Sequence, residues 1–185
     1  MAQEALHSLK VKNISGVVLK LDLSKAYDKV SWLYVKMLLI HLGFDIGFVR
    51  WVMGCISTTS FGVLINNAAS PFFKAERGIC QGCPLSPLIF LLDTEGLSRF
   101  LRDAVRRGEL TGLILAPGIN LTHLLFVNDK LLFYRGIRRD IDCLYRGLNL
   151  FKTATRMVIN LKKSMVSFFH LEDTDLRYIM GFFPI

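Results

Sequence analysis

Leu19-Lys20-Leu21-Asp22-Leu23-Ser24-Lys25-Ala26-Tyr27-Asp28, LKLDLSKAYD, is the stretch on which the fold turns. Gly16 to Leu21 reads as a short strand of aliphatic and β-branched residues ending on Asp22. Ser24 to Asp28 then leads into an amphipathic helix. A carboxylate at the C-terminal end of a strand is rigidly held yet exposed, as metal chemistry on phosphates requires. Taken alone, Asp22 equally suits a turn or a helix cap, so the rest of the chain decides.

The 185 residues suffice for one domain with a proper core, and 52% hydrophobic residues, among them 14 Phe, exclude a disordered chain. Lys and Arg give a net charge of +8 and are spread along the chain, which fits either a polyanionic partner or a solvated basic surface. Cys55, Cys80, Cys83 and Cys143 without a signal peptide suggest a reducing compartment. Cys80-Gln81-Gly82-Cys83 has C-x-x-C spacing, but no second pair follows to complete a tetrahedral zinc site. No apolar run reaches the roughly 18 residues of a membrane span, so no membrane partner is expected.

Outward from Asp22, residues 1–15 look like the end of a helix and a polar turn, as if the chain began inside something larger. Asp28 or Ser31 can cap the next helix, whose expected inner face is Val30, Leu33, Tyr34, Met37 and Ile40. Asp45 to Ile56 reads as a second helix. Thr59 to Ile65 and Pro71 to Ala75 are expected to pair across Asn66-Asn67. In Gly78 to Phe90, GICQGCPLSPLIF, Gly78 and Gly82 permit unusual backbone angles and close approach by a ligand. Ser86 and Pro87 suit an N-cap and first helical residue. The helix that follows is expected to run to about Arg107, with Leu88, Leu91, Leu92 and Leu97 inside and Glu95 paired with Arg99. Gly112 to Phe133 returns to strands, its last two arms folding about Asn128-Asp129. Residues 138–157 read as a helix and Met165 to Phe169 as a strand, before a tail from Leu171 to Ile185. The interleaving predicts an α+β fold, an antiparallel sheet with helices packed on one face.

On one sheet, Asp22 and the 128–129 hairpin tip can hold two divalent cations for an in-line displacement at phosphorus. Mg²⁺ suits a site of few carboxylates completed by phosphate oxygens and water. Here the chain resembles the reverse transcriptases of plant non-long-terminal-repeat (LINE-type) retrotransposons, from about Gln3 to Ser167. The resemblance rests on K-L-D-L-S-K-A-Y-D-K-V at 20–30, G-I-C-Q-G-C-P-L-S-P at 78–87, H-L-L-F-V-N-D-K-L-L-F at 123–133 and I-N-L-K-K-S at 159–164. It implies a polymerase palm with part of the fingers over residues 1–170, and a truncated tail over 171–185 leading toward a missing thumb. It makes Asp22 the first metal ligand and Tyr27 the aromatic steric gate against a 2′-hydroxyl. Gln81 and Gly82 match the loop that contacts incoming nucleotide and template, and Lys163 a lysine placed toward the pyrophosphate. Core packing for Tyr27 and plain solvation for Lys163 are the alternatives; Asp28 is expected to be structural. The implied cofactor is Mg²⁺ in a two-metal site. The implied partners are an RNA template, a DNA primer and deoxynucleotides, and the implied location is intracellular, nucleus or cytoplasm.

One departure stands out. The family carries two adjacent aspartates at the hairpin tip, where this chain has Asn128-Asp129. Asparagine keeps a carbonyl ligand but loses a negative charge and any bridging capacity, so the metal site is expected to be weakened. Val127 and Lys130 also deviate, Lys130 being able to take some of the space and charge of a missing cation, and Cys80 stands where arginine is usual. Earlier finger motifs, thumb and endonuclease are expected to be absent. Two readings follow: an RNA-templated DNA polymerase by ancestry with impaired catalysis, or an inactive retroelement remnant with at most non-specific nucleic-acid binding.

Overall fold

The computed structural model describes residues 2–11, 13–126 and 129–183. In chain order the elements are α1 (Ala2–Val11), β1 (Gly16–Ser24), the single turn α2 (Ala26–Lys29), α3 (Trp32–His41) and α4 (Ile46–Ser57). Four two-residue strands follow, β2 (Ser60–Phe61), β3 (Leu64–Ile65), β4 (Ala68–Ala69) and β5 (Phe73–Lys74), and then the long α5 (Ser86–Arg106). The chain continues through β6 (Leu113–Ala116), β7 (Ile119–Leu121), β8 (His123–Phe126) and β9 (Asp129–Tyr134). It finishes with α6 (Arg138–Thr155), β10 (Val158–Ile159), β11 (Met165–Phe169) and α7 (Asp173–Phe182).

β1 is the middle of the central antiparallel sheet. Along one edge it pairs with β9, which pairs in turn with β8; along the other it pairs with β11 and then β10. Strand alternation sorts its side chains. Val17, Leu19, Leu21 and Leu23 face the main core with Leu132 and Tyr134, against Ile89, Phe90 and Leu97 of α5 and Ile141, Leu144 and Leu148 of α6. Val18 and Phe133 face the other way, where Leu9 of α1 and Leu113 and Leu121 of the β6–β7 hairpin cover them. The long helices α5 and α6 therefore pack on one face as expected, and at the Gly16 end the second face is covered too, by α1 and the β6–β7 hairpin. This is the α+β architecture that the sequence predicts. No helix among the described residues is long and apolar enough to cross a membrane.

Several local expectations are corrected. Of the expected inner face, Val30 is buried and Tyr34 half-buried, but α3 leaves Leu33, Met37 and Ile40 exposed and buries Val35, Leu38 and Leu39 instead. Its sequence, WLYVKMLLIH, is apolar nearly all round, so an i, i+3, i+4 stripe can be drawn on either side and tertiary packing chooses. α5 likewise exposes Leu88 and Leu91 and turns Ile89, Phe90 and Asp93 inward, while Leu97 is buried as expected. The Glu95–Arg99 pair forms at 3.2 Å, and Ser31 caps α3 by accepting from the Tyr34 amide. Asn66 and Asn67 make the tight turn, both at positive φ (49° and 64°), joining Leu64–Ile65 to Ala68–Ala69. The outer arms pair more narrowly than expected, as β2 with β5. The tail contains α7, which the sequence reading did not assign. It lies on α6 through buried Ile179, a Tyr178 hydroxyl donated to Asp142 at 2.8 Å, and Tyr145 edge-on to Phe182.

Candidate functional site

β1 does not stop at Asp22; Leu23 and Ser24 continue it by pairing with Ile159 and Val158. Asp22 lies directly opposite Asp129, the first residue of β9. The Asp22 amide donates to Ser164 Oγ at 3.2 Å and its carbonyl accepts from the Asn160 amide at 2.9 Å. Both backbone groups thus point away from β9, which makes Asp22–Asp129 a non-hydrogen-bonded pair. In such pairs the Cα atoms lie only about 4.5 Å apart and the side chains share one face. Alternation places both carboxylates on the face that carries Val18 and Phe133, beyond the cover of α1 and β6–β7. Asp129 departs from the expectation that it sits at a hairpin tip. Phe126 pairs with Asp129, so Asp129 is a strand residue, and the sequence between them is Val127-Asn128. Asn128, the predicted partner ligand, lies outside the described residues.

Lys20 shares this face, diagonal to Asp129, and its Nζ reaches Asp129 Oδ1 at 3.2 Å with both side chains partly exposed. Lys130 does not: paired with Leu21, it points to the helical face and is 1% exposed. It lies beneath the carboxylates rather than in the cation's place. Its Nζ sits 4.8 Å from the centroid of the Phe90 ring, and Asp93 of α5 is its buried counter-charge. Burial pulls Lys130 down to about 8, against the attraction of Asp93, Asp129 and Asp22. Burial likewise pushes Asp93 up to about 7, against Lys130.

Phe90 joins this floor to the second part of the site. Tyr27 stacks on it at 5.1 Å and 9°, so the predicted gate residue is held flat by the core rather than free to swing. The 78–87 loop is tied to α2 by Ile79 N–H to Tyr27 C=O and Gly78 N–H to Val30 C=O, each 2.9 Å. Gly78 has φ +84°, and a Cβ there would meet the Asp28 carbonyl oxygen at 2.8 Å, so the approach needs glycine. Gly82, at φ +91°, turns the loop where nothing crowds it. α5 begins at Ser86, not Pro87. Its hydroxyl does not cap the helix but donates to Cys80 C=O at 2.6 Å, closing the loop. Tyr27, Gln81, Gly82, Cys83, Pro84, Ser86 and Pro87 thereby line one cavity of about 540 Å³.

Lys163 is exposed in the turn that starts at Asn160 and ends at Ser164, the two residues bonded to the Asp22 backbone. Asp28 is exposed on a neighbouring groove with Phe61, Phe73, Lys74 and Arg77. The structure thus gathers Asp22 with Asp129, gathers Tyr27 with Gln81 and Gly82, and anchors the Lys163 turn to Asp22. Lys20 and Asp93 were not singled out from sequence. Lys20 was findable, being in phase with Asp22 two residues along a strand; Asp93, within an expected amphipathic helix, carried no such signal. Among the described residues no three His, Cys, Asp or Glu gather for a metal. Two opposed carboxylates on an open face nevertheless fit Mg²⁺, which commonly uses one or two carboxylates and takes its remaining ligands from phosphate and water.

Comparison with known proteins matches residues 2–179 to the family described as reverse transcriptase (RNA-dependent DNA polymerase). The Pol polyprotein of the type-1 retrotransposable element R2 from Popillia japonica, a non-long-terminal-repeat element, is 28% identical over 139 residues, 74% of this chain and 22% of that protein. A mitochondrial protein of Arabidopsis thaliana is 44% identical over 69 residues, 36% of this chain and 55% of its own length. The chain thus spans about a fifth and about half of these two relatives. The apo telomerase of Candida tropicalis truncated of its C-terminal domain superposes with a TM-score of 0.64 over 93% of this chain and 34% of its own, at 13% identity, which speaks for the fold alone. With a family match over nearly its whole length and a palm-type sheet to carry it, the chain belongs to the reverse transcriptase family.

Proposed function

We propose that this chain forms the palm of an RNA-templated DNA polymerase whose catalysis is weakened by Asn128. The opposition of Asp22 and Asp129 in a non-hydrogen-bonded pair on the open face is the observation that carries this reading. Divalent cations, Mg²⁺ by the chemistry of the ligands, would activate a primer 3′-hydroxyl and stabilise the departing pyrophosphate. Asp22 and Asp129 would hold them, with Asn128 able to offer only a neutral carbonyl. Tyr27, stacked flat on Phe90, would close the sugar side of the cavity against a 2′-hydroxyl, and Gln81 and Gly82 would border the deoxynucleotide and template. Lys163 would face the pyrophosphate from the turn bonded to Asp22. Net charge +8 and the groove with Phe61, Phe73, Lys74 and Arg77 support an RNA template and DNA primer as partners.

The second reading, an inactive retroelement remnant with non-specific nucleic-acid binding, is favoured by Asn128 itself. Losing one metal-positioning carboxylate removes several kcal/mol of transition-state stabilisation, roughly three decades in rate. Mg²⁺-dependent primer extension on an RNA template, comparing the chain with Asn128→Asp and with Asp22→Ala, separates the readings. Extension by Asn128→Asp about a thousandfold above the parent, abolished by Asp22→Ala, is the expected result. Silence from both proteins, with salt-dependent binding indifferent to position 128, would favour the remnant.

A further inference from the structure

Two carboxylates directly opposite in a narrow strand pair repel each other, and the sheet has to offset that repulsion. Lys20 is in place to do so. It lies on the same open face, diagonal to Asp129, and forms an ion pair with it at 3.2 Å. The contact falls on one of the two carboxylates that the proposed palm reading assigns to the cation. We propose that Lys20 is the built-in counter-ion of this site and competes with the divalent cation for Asp129. The inference rests on that palm reading and deepens it by naming the residue that sets cation affinity.

Geometry gives the reason. A diagonal neighbour on an antiparallel pair is held by the ladder, so Lys20 keeps its place near Asp129 without a folded partner above it. A cation bound between Asp22 and Asp129 would bring a double positive charge close to the Lys20 ammonium. Lys20 must then swing away, which its long and partly exposed side chain allows. Lys130 cannot play this part, because it points to the opposite face of the sheet beside Phe90. By linkage, whatever weakens the cation through Lys20 must also loosen Lys20 when the cation binds.

The test measures binding rather than turnover. Mn²⁺ affinity is read by electron paramagnetic resonance for the parent chain, Lys20→Met, Asp22→Asn and, as a control of equal net charge, Lys152→Met on the exposed face of α6. Lys20→Met is expected to bind Mn²⁺ at least about fivefold more tightly. Lys152→Met should match the parent, and Asp22→Asn should lose the site. In the parent chain, acetylation of Lys20 followed by mass spectrometry should accelerate when Mg²⁺ is added, while Lys152 does not change. That second measurement needs no substitution and so stands even if Lys20→Met folds poorly. Unchanged Mn²⁺ affinity in Lys20→Met, or unchanged Lys20 acetylation, with Asp22→Asn still abolishing binding, would overturn the role of Lys20 and leave the palm site standing. Mn²⁺ binding indifferent to Asp22→Asn would overturn both.

Discussion

The two ends of the β1–β9 strand pair are built from one ladder and treated in opposite ways. At the Val17–Tyr134 end the sheet is closed on both faces, by α5 and α6 on one side and by α1 and β6–β7 on the other. At the Asp22–Asp129 end only the helical face is closed, and the other carries three charged side chains in partial contact with solvent. The closed end supplies rigidity, and the open end spends some of it on an unfavourable pair of carboxylates. The same hydrogen-bonded strand thus anchors a core at Val17 and displays charge at Asp22, five residues further on.

This contrast is broken most severely at a residue that serves both ends. Leu19 is fully buried between Leu132 and Val166 in the main core. Leu19→Ala should lower unfolding free energy by about 2–5 kcal/mol in urea titration, the range for deleting a buried leucine. A loss well below about 1 kcal/mol would show that the closed end is looser than its burial implies.

The next largest effect concerns the floor under the open end. Asp93 and Lys130 are buried together, and both carboxylate oxygens of Asp93 lack a hydrogen-bond donor among the described residues. The folded-state value of Asp93, about 7, lies above its unfolded value of 3.8. Folding therefore binds a proton over that interval, and stability falls as pH rises from about 4 to 7. Lys130, lowered from 10.5 to about 8, gives the opposite slope, so stability recovers above pH 8. The pair predicts a trough between about pH 7 and 8. Asp93→Asn should remove the acidic limb, so that the difference in stability between pH 5 and pH 7.5 shrinks by about 1–3 kcal/mol. An unchanged difference would mean that Asp93 does not titrate in this interval.

How far the sequence could be read follows the same division. Asp22 on a strand, the Asn66-Asn67 turn and the Met165–Phe169 strand were legible because each depends on local pattern or turn chemistry. The gathering of Tyr27, Gln81 and Gly82 was legible only through the motifs at 20–30 and 78–87, since nothing local says that these segments meet. The inner face of α3 was not legible, because a helix apolar all round has no preferred stripe until α4 and α5 pack on it. That Asp129 belongs to a strand was not legible either, because the register is set by Phe126 opposite Asp129, a cross-strand fact. Asp93 was missed because a buried carboxylate in an amphipathic helix is betrayed by its partner on another element, not by its neighbours in sequence. The α7 helix escaped because its stability comes from Ile179 and Tyr178 docking on α6 rather than from a cap: Glu172 at its N-cap makes no side-chain bond.

The smallest expected effect is also the sharpest test of the open end. If Asp22 and Asp129 repel across a narrow pair, removing one charge should stabilise the fold, unlike most substitutions in a central strand. Asp22→Asn keeps the shape and leaves the backbone bonds to Ser164 and Asn160 intact, because both use main-chain atoms of residue 22. Its unfolding free energy should rise by about 0.2–1 kcal/mol at low salt. The gain should diminish as salt is raised, because the site is open to solvent on that face. Proteins commonly hold such tension where they act, at a cost borne by the surrounding core. A substitution that stabilises the chain while abolishing Mn²⁺ binding would mark Asp22 as kept for chemistry rather than for folding. A loss of stability instead would show that Lys20 and Lys130 already over-compensate the two carboxylates, so that the open end is an ion-paired surface and not a site waiting for a cation.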